Sequence, residues 1–461
     1  MLELFPSGLD IEGFVESESN LSAPPPPDVT CVHRVYRVSI PDDMLDADAV
    51  KIVRRLDRFG HESYFVGGSI RDILCGVRPK DFDVATSALP AEVKREFRNC
   101  RLIGRRFRLA HLLFKDKKIV EVATFRRGAT SEDDISHRHA AENLFGGPAD
   151  DAIRRDFTIN ALMYDVARRE IHDYVGGIED IRSRRLNTIG DPYRRFQEDP
   201  VRIIRAVKFA ERLDLNIAPR VYEAAQELAP LVGECAPARL VEELYKIFRT
   251  GKSARCFAEL EKLGVLKVLM PALAERAQML GAERAWYHMD RADRRLRDGK
   301  PVSEAVMLAA MIHPFAGPLF EEKGDLAAKV HALFQELTAP IPFPKRCIAA
   351  VRQIVNAQRR LSAGPHRAKA RRILEREYAL EAVDLMAVIA ENESDLHTLS
   401  EWTKLTAKHK GGRSERYERP RGADAAKKRR PRRRRRTATE SDSVTSDPSR
   451  PLAAAEAIAE Q

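Results

Sequence analysis

Residues 64–86 read YFVGGSIRDILCGVRPKDFDVAT, and they predict two short strands joined by a tight turn and a short helix. The first strand is the apolar run that ends at Val66. Gly67 and Gly68 follow it directly, and glycine lets a backbone turn sharply and approach a ligand closely. Ser69 can then cap the short helix that follows the turn.

The second predicted strand carries two carboxylates, Asp81 and Asp83. Because side chains alternate along a strand, both should lie on one face while Phe82 points into the core. Neighbouring carboxylates repel each other unless a cation lies between them, and hard oxygen ligands suit Mg²⁺, with Mn²⁺ as an alternative. Either motif alone would more simply be a turn or a solvated strand. Together they indicate phosphoryl or nucleotidyl transfer by metal ions.

The composition favours a multidomain protein of a reducing compartment. The chain has 461 residues, a length that suggests about three domains. No apolar run reaches the roughly 18 residues that span a bilayer, and residues 305–312 read as a buried helix. No signal peptide is visible at the N-terminus. The six cysteines are scattered without a Cys-x-x-Cys motif, so we expect no zinc site, no disulfide scaffold and a cytoplasmic location.

The net charge of +10 is concentrated in one segment. Residues 411–436 contain thirteen Lys or Arg against three Asp or Glu, so the remainder of the chain is formally neutral. Such a run cannot bury itself and is expected to be disordered. It is suited to neutralising phosphates, and this favours a polyanion partner over a simple solubility tail.

The order of predicted elements divides the chain into five parts and gives an α+β fold class. Residues 1–45, which include four consecutive prolines, are expected to be disordered. Residues 46–190 alternate short helices with β-like runs and predict a small head domain with a mixed sheet. Helical periodicity then predicts an all-α neck over 191–275 and a helical C-terminal domain over 276–405. The last part, 406–461, is the expected disordered Arg-rich tail.

Two further charged residues have candidate roles in the head. Arg71 follows the double glycine, where it can meet phosphate oxygens near a helix N-terminus. Glu121 belongs to the apolar run IVEVATF. A carboxylate in an otherwise buried strand needs a partner, and a nearby metal site would supply one. A charge at a strand edge is the simpler alternative for Glu121.

Two motifs farther along the chain combine carboxylates with guanidiniums. The segment RRDFTIN contains Arg155 and Asp156 before an apolar helix, and alone it could be a helix start with an exposed ion pair. The segment EDPVRIIR contains Asp199, Arg202 and Arg205, spaced so that all can share one helix face. Such a face can read the edge of a base, although an ordinary helical salt bridge fits the same spacing.

Four motifs occur in order along the chain: Gly-Gly-x-x-Arg-Asp, Asp-x-Asp, Arg-Arg-Asp and Glu-Asp-x-x-Arg. Together they resemble the class II nucleotidyltransferases, a family that includes tRNA CCA-adding enzymes and bacterial poly(A) polymerases. The resemblance covers roughly residues 64–270. One segment separates the two branches, because CRLIGRRFRLAH at 100–111 is similar to the poly(A) polymerase pattern. An Arg-rich C-terminus also resembles that branch. Residues 131–151 differ from the sequence pattern that is common in the family, and they are expected to form a mobile loop.

The resemblance implies a template-independent polymerase that adds AMP from ATP to RNA 3′ ends, releases pyrophosphate and promotes RNA processing and decay. A tRNA CCA-adding enzyme is the alternative with the same chemistry. A non-catalytic RNA-binding protein is the second alternative, which the intact carboxylate pair disfavours. RNA 3′ ends and ATP are the implied partners, with RNA-decay proteins as further partners of the basic tail.

The resemblance also implies roles for individual residues. Asp81 and Asp83 would hold Mg²⁺ and would be catalytic, together with Glu121 or Asp156 as a third carboxylate. The implied nucleotide-binding residues are Gly67, Gly68, Arg71, Arg155, Asp199, Arg202 and Arg205. The implied RNA-binding residues are Arg105, Arg106, Arg108, Lys427, Lys428, Arg429, Arg430, Arg432, Arg433, Arg434, Arg435 and Arg436.

Overall fold

The computed structural model describes residue 9 and residues 11–17, 21–22, 25–104, 109–127 and 145–417. The strands of its main sheet are β1 (Ile11–Ser17), β2 (His33–Val38), β3 (Ser63–Val66), β4 (Asp83–Thr86), β5 (Cys100–Ile103), β6 (Leu109–Leu113), β7 (Ile119–Thr124), β8 (Met163–Asp165) and β9 (Glu170–Asp173). Within the described residues, these nine strands are ordered β1-β2-β9-β8-β3-β4-β7-β6-β5. A short parallel pair, β10 (Arg185–Leu186) and β11 (Asn216–Ile217), lies outside this sheet.

The centre of the sheet brings the two strands of the opening motif together. β3 and β4 pair antiparallel with Val66 opposite Asp83, whereas β4 and β7 pair parallel with Val84 beside Val122. The predicted mixed sheet is therefore confirmed. This register places Asp83 beside the end of β3, where the chain enters the glycine turn. It also places Asp83 next to Glu121, which immediately precedes Val122 on β7.

Among the described residues of the head, five helices pack around the sheet or connect its strands. They are α1 (Ala47–Arg58), α2 (Gly68–Leu74), α3 (Pro90–Glu96), α4 (Pro148–Ile153) and α5 (Gly177–Arg182). The helix α1 begins where the Asp46 side chain accepts hydrogen bonds from the backbone N–H groups of Asp48 and Ala49. Its apolar face, with Ile52 and Leu56 fully buried, joins the core under the sheet.

The N-terminal segment is more ordered than the sequence predicts. Strand β1 pairs with β2, and β2 pairs with β9 with Tyr36 opposite Ile171. The predicted disorder of residues 1–45 is therefore wrong over these two strands. Tyr36 and Val38 alternate with more exposed neighbours and are buried, because β2 covers one side of the head core. This alternating pattern covers only a few residues, and the proline-rich composition before it led to the prediction of disorder instead.

The chain beyond the head is helical, as predicted. Its helices are α6 (Pro192–Glu198), α7 (Val201–Leu213), α8 (Pro219–Glu227), α9 (Pro237–Phe248), α10 (Ser253–Lys262), α11 (Val265–Leu269), α12 (Pro271–Leu280), α13 (Ala282–Ala285), α14 (Tyr287–Arg297), α15 (Glu304–Ile312), α16 (Gly317–Glu321), α17 (Leu326–Thr338), α18 (Lys345–Leu361), α19 (Ala368–Arg371), α20 (Ala379–Ile389) and α21 (Glu393–Tyr417). Residues 305–312 of α15 are all buried, which confirms the predicted buried helix. One hydrophobic core extends from Phe196 to Trp402. It crosses the predicted domain boundary at 275/276, which stays a prediction.

Part of the predicted mobile loop is a helix. α4 begins at Pro148, inside the segment 131–151, and its Asp150 and Asp151 are buried. The Asp150 carboxylate accepts a hydrogen bond from the backbone N–H of Gly147 at 2.8 Å. The prediction of a loop is wrong over residues 148–151, because these acidic residues cap and anchor a helix instead of facing solvent. Residues 128–144 lie outside the described residues.

The helix α21 extends to Tyr417 and so enters the predicted tail, 406–461. The prediction of disorder is wrong over residues 406–417. Trp402 anchors this helix, because its ring is fully buried and its Nε1–H donates to the Leu361 carbonyl at 2.9 Å. Among the described helices, none has the length and apolarity to cross a bilayer.

Candidate active site

The glycine turn has a backbone shape that favours glycine. Gly67 has φ 70° and ψ −125°, a region that side-chain-bearing residues rarely adopt. A Cβ atom on Gly67 would lie 3.1 Å from Nη1 of Arg155, so the missing side chain also leaves room for that guanidinium. Helix α2 begins at Gly68 with Gly67 as its N-cap, so the predicted cap at Ser69 is wrong. The Ser69 hydroxyl instead donates to the Val66 carbonyl at 3.3 Å.

The carboxylate pair has the predicted alternation. Asp83 is the first residue of β4, Asp81 lies two residues before it, and both residues are exposed. Phe82 between them is 9% exposed and packs edge-on against Phe65, with ring centroids 5.2 Å apart. The buried aromatic ring fixes the local backbone, and this holds both carboxylates on the solvent side of the sheet.

Glu121 supplies a third carboxylate on the same face. Its neighbours Val120 and Val122 are buried, but the Glu121 side chain is 48% exposed. The inward-facing residues of the strand are buried as predicted, and Glu121 takes an outward position of its alternating pattern on an interior strand, so the strand-edge alternative does not hold. Glu121 lies 3.4 Å from Nε2 of His111 on β6. The register beside Asp83 favours Glu121 as the third catalytic carboxylate.

These charges act on one another through space. The pKa of Asp83 is raised to about 6, first by the loss of solvent around its carboxylate and then by the negative charge of Glu121. Asp81 adds a smaller effect of the same sign, whereas Arg155 acts in the opposite direction. Like-charge repulsion of this kind is relieved when a cation binds.

The donor set fits a magnesium ion that is completed by substrate. Asp81, Asp83 and Glu121 offer hard carboxylate oxygens, the ligand type that Mg²⁺ prefers. Among the described residues, no group of three or more His, Cys, Asp or Glu forms a ready-made cage for a metal. Mg²⁺ is usually held by one or two carboxylates together with water and substrate phosphates, so a two-aspartate site is sufficient.

A cleft of about 550 Å³ adjoins Asp83 and the glycine turn. It is lined by Gly67, Gly68, Arg71, Asp83, Arg154, Arg155, Asp156, Asn160, Asp199, Arg202, Arg205, Lys208, Phe209 and Lys246. All seven residues predicted to bind nucleotide are in this set. The lining carries seven Lys or Arg against three Asp, so the cleft favours a highly charged anion such as a triphosphate.

Arg71 is held more firmly than the sequence suggests. The residue is 4% exposed, its Nε donates to Asp72 at 2.9 Å, and its Nη1 donates to Oδ1 of Asn160 at 2.6 Å. Asp72 also accepts from Nη2 of Arg212 on α7 at 2.6 Å. Asp72 therefore ties α2 of the head to the first long helix of the neck and fixes one wall of the cleft.

Asp151 orients two guanidiniums of the cleft. Its carboxylate contacts Nη2 of Arg154 and Nη2 of Arg155, each at 2.7 Å. Burial alone would raise the pKa of Asp151, but the two guanidiniums outweigh burial and hold that pKa below its usual range. The role of Asp151 could not be predicted from the sequence, because its segment reads as a loop.

Among the described residues, Asp156 is paired with an arginine, unlike the carboxylates of Asp81 and Asp83. Its Oδ2 lies 2.6 Å from Nη2 of Arg205, and its Oδ1 accepts from Nδ2 of Asn160 at 2.8 Å. The ion pair joins the head to α7 across the cleft. A carboxylate whose charge is balanced in this way suits the ordering of a bound nucleotide better than the binding of a metal.

Asp199 lies on the link between α6 and α7, so the predicted shared helix face is wrong for this residue. Its Oδ2 accepts from Nη2 of Arg239 on α9 at 2.8 Å. Arg202 instead donates to Oε2 of Glu198 at 3.0 Å. Asp199 and Arg202 nevertheless line the same cleft. Arg239 was missed because it follows Asp199 by forty residues, beyond any local pattern.

Lys208 and Phe209 also line the cleft, although none of the sequence motifs includes them. Lys208 is 7% exposed, and its Nζ lies 2.6 Å from Oε2 of Glu243. Burial lowers the pKa of Lys208 to about 8, and Glu243 opposes this shift. The guanidinium carbon of Arg71 lies 4.6 Å from the centroid of the Phe209 ring. The sequence did contain one indication of this site, because Lys208 lies among the buried positions of α7.

Three family models match the chain in order. They are the "Poly A polymerase head domain" over residues 63–187, the "Probable RNA and SrmB- binding site of polymerase A" over 214–276, and the "Polymerase A arginine-rich C-terminus" over 323–437. Poly(A) polymerase I of Salmonella typhimurium is 37% identical over 381 residues, which cover 78% of this chain and 82% of that protein. The chain belongs to the poly(A) polymerase family.

Other relatives place this poly(A) polymerase family member near the CCA-adding enzymes. A CCA-adding enzyme of Bacillus licheniformis is 33% identical over 238 residues, which cover 52% of this chain and 59% of that protein. The crystal structure of the Bacillus stearothermophilus CCA-adding enzyme in complex with CTP is similar with a TM-score of 0.58 and 24% identity, over 79% of this chain and 82% of that one. This likeness confirms the α+β fold class.

The implied RNA-binding residues of this poly(A) polymerase family member all lie outside the described part of the chain. Arg105, Arg106 and Arg108 lie outside the described residues, and so do all the basic residues of 427–436. Their roles stay predictions. The family model for the arginine-rich C-terminus nevertheless includes the basic segment up to residue 437.

Proposed function

We propose that this protein adds AMP from ATP to RNA 3′ ends without a template and releases pyrophosphate. The observation that carries the proposal is the single cleft that joins the glycine turn, Asp83 and seven cationic side chains. The similarity to a poly(A) polymerase I extends over 78% of the chain, whereas the similarity to a CCA-adding enzyme extends over 52%. This difference favours polyadenylation over CCA addition.

The exposed carboxylates would hold the divalent cation. Asp81 and Asp83 would bind Mg²⁺, or Mn²⁺ in its place, with Glu121 beside them as the third acidic group. When bound, the cation favours ionisation of the RNA 3′-hydroxyl and stabilises the charge of the leaving pyrophosphate. Asp83 reaches the cleft from the head, next to the turn at Gly67 and Gly68, where the phosphates can approach the backbone.

The cationic wall would bind and orient the triphosphate. Arg155 is fixed by Asp151, and Arg205 is fixed by Asp156, so both guanidiniums meet an anion without further ordering. The 3′-oxygen then forms a bond to the α-phosphorus while the bond from that phosphorus to the bridging oxygen breaks. The two outer phosphates leave as pyrophosphate, whose charge the same guanidiniums neutralise.

The helical wall would select the base. Asp199 is held by Arg239 and faces the cleft together with Arg202, so one acceptor and one set of donors are available for a base edge. Buried polar groups of this kind reject a base that leaves them unpaired. A cytoplasmic location and contacts of the basic tail with RNA-decay proteins remain further proposals that follow from the same function.

Separate incubation of an unstructured RNA with each of the four nucleotides tests this function. ATP with Mg²⁺ is expected to give long homopolymeric tails, and CTP is expected to give little extension. Efficient use of CTP would support the CCA-adding alternative. Absence of extension with every nucleotide, at an RNA concentration that saturates binding, would support the non-catalytic alternative.

A further inference from the structure

A second charged pocket, of about 460 Å³, lies among the C-terminal helices. Five guanidinium side chains line it, together with Ala363 and Ala370. The five are Arg359 and Arg360 at the end of α18, Arg367 just before α19, and Arg372 and Arg376 after it. Among the described residues, no carboxylate lines this pocket, whereas three aspartates line the cleft beside the glycine turn.

The five guanidiniums are exposed and are not neutralised by protein. Within the part of the chain that the structure describes, none of them forms an ion pair or a side-chain hydrogen bond. Glu375 and Glu377 are close in sequence, but neither lines the pocket. Glu401 is engaged by His366 at 2.8 Å. Five like charges around one cavity repel each other, and a bound polyanion would remove this cost.

We propose that this pocket binds the phosphodiester backbone of the RNA substrate upstream of its 3′ end. The inference rests on the proposed function, because that reaction makes RNA the substrate. The 3′ end must lie at Asp81 and Asp83, so RNA in a pocket with different lining residues is an upstream part of the strand. Guanidiniums match phosphate oxygens in paired hydrogen bonds.

The lining favours a backbone over a free nucleotide. The described walls contain arginine and alanine, without an aromatic ring on which a base could stack and without a carboxylate to hold a metal. Recognition would therefore be independent of sequence, as binding to RNA substrates of differing sequence requires. The pocket also lies at the end of α18, where Trp402 of α21 bonds to Leu361, and α21 is the helix that leads along the chain to the basic segment.

Two double variants of the full chain distinguish the effect of this pocket on RNA binding from the effect of removing positive charge in general. Arg359→Gln with Arg372→Gln removes two pocket cations. Arg352→Gln with Arg371→Gln is the matched control, because Arg352 also lies on α18, Arg371 adjoins Arg372, and neither lines the pocket. All four residues are exposed, so both variants should fold, and thermal melting checks this. Binding of a single-stranded RNA is then measured without nucleotide across a range of salt concentrations.

The pocket variant is expected to bind RNA about tenfold more weakly or worse at low salt. Loss of two phosphate contacts should also flatten its plot of log affinity against log salt by about 1.4 in slope. The control should keep the affinity and slope of the natural protein. The rate of a single nucleotide addition at saturating RNA should be the same for both variants.

Equal RNA affinities for the pocket variant and its control would overturn the proposal. A second arm measures how many ATP molecules bind to each chain. Loss of one bound ATP in the pocket variant, with RNA affinity unchanged, would assign the pocket to free nucleotide phosphates and would also overturn it. RNA binding is measured without chemistry, so a protein that adds CCA would disprove the proposed function while leaving this test intact.

Discussion

Asp81 and Asp83 are the residues on which the proposed chemistry depends. Asp83→Ala, or Asp81→Ala, is expected to slow nucleotide addition by about two to three orders of magnitude or more, because each removes a ligand of the metal that stabilises the transition state. Both residues are exposed, so the melting temperature should change little. The single-turnover rate with Mg²⁺ is the measurement, with Asp43→Ala on the surface of the head as control. Near-normal turnover in either variant would disprove the metal assignment.

Arg239 is expected to set nucleotide selectivity through Asp199. Arg239→Gln frees the Asp199 carboxylate from the 2.8 Å contact, so the preference for ATP over CTP should fall at least about tenfold. The measurement is the ratio of kcat/KM for the two nucleotides. Arg220→Gln is the matched control, because Arg220 has a similar exposed pair with Asp191 that does not line the cleft. An unchanged ratio in Arg239→Gln would exclude Asp199 from base reading.

The local motifs predicted part of the cleft lining but not the ion pairs that hold those residues in place. Gly67, Gly68 and the aspartates could be found because turn geometry and strand alternation act over a few residues. Arg239 could not, because its partner Asp199 lies forty residues earlier and only the folded chain brings the two together. A single sequence contains no signal for such a long-range ion pair. Asp151 pairs with its near neighbours Arg154 and Arg155, but its segment reads as a loop, and this hid its role.

The junction of α10 and α14 gives a prediction about pH. Asp293 of α14 is 1% exposed and accepts hydrogen bonds from the Ala254 backbone N–H and the Ser253 hydroxyl, each at 2.9 Å. Burial raises the pKa of Asp293 to about 6, so the protonated form is the one that the fold favours. Its contribution to stability is fully present below the unfolded pKa near 3.8 and is lost as pH rises through 6.

Replacement of Asp293 by asparagine should remove this pH dependence. Between pH 7 and pH 5, the natural protein is expected to gain about 1 kcal/mol of unfolding free energy relative to Asp293→Asn. Urea denaturation of both proteins at the two pH values gives this difference. Glu283→Gln, an exposed carboxylate nearby in sequence, controls for general charge. A difference of zero, or one of opposite sign, would contradict the raised pKa.

Helices could be predicted better than the two N-terminal strands, β1 and β2. Long helices such as α7 and α18 bury one face through many turns, so their periodicity is evident in the sequence. The strand β1 pairs with β2, and β2 pairs with β9, which lies more than 130 residues farther along the chain, so a partner distant in sequence stabilises them. Composition alone therefore gave the wrong state for this part of the chain.

The charge of the whole molecule predicts a role for its C-terminal tail. Deletion of residues 418–461, which preserves α21, removes eleven Lys or Arg against two Asp or Glu before residue 437. If half of these cations contact phosphates, the salt dependence of RNA affinity should flatten by about 4 in slope. The single-addition rate at saturating RNA should stay near that of the full chain, because the cleft is untouched. An unchanged salt slope would assign the tail to a protein partner.

The most direct test of the account is to sequence the products formed when all four nucleotides compete. The full-length protein is incubated with Mg²⁺ and two RNAs, one unstructured and one a tRNA that lacks its CCA end. We predict homopolymeric adenylate tails of variable length on the unstructured RNA, with few cytidylates on either substrate. Addition that starts with cytidylate and stops after CCA on the tRNA, with the unstructured RNA left unextended, would contradict the account.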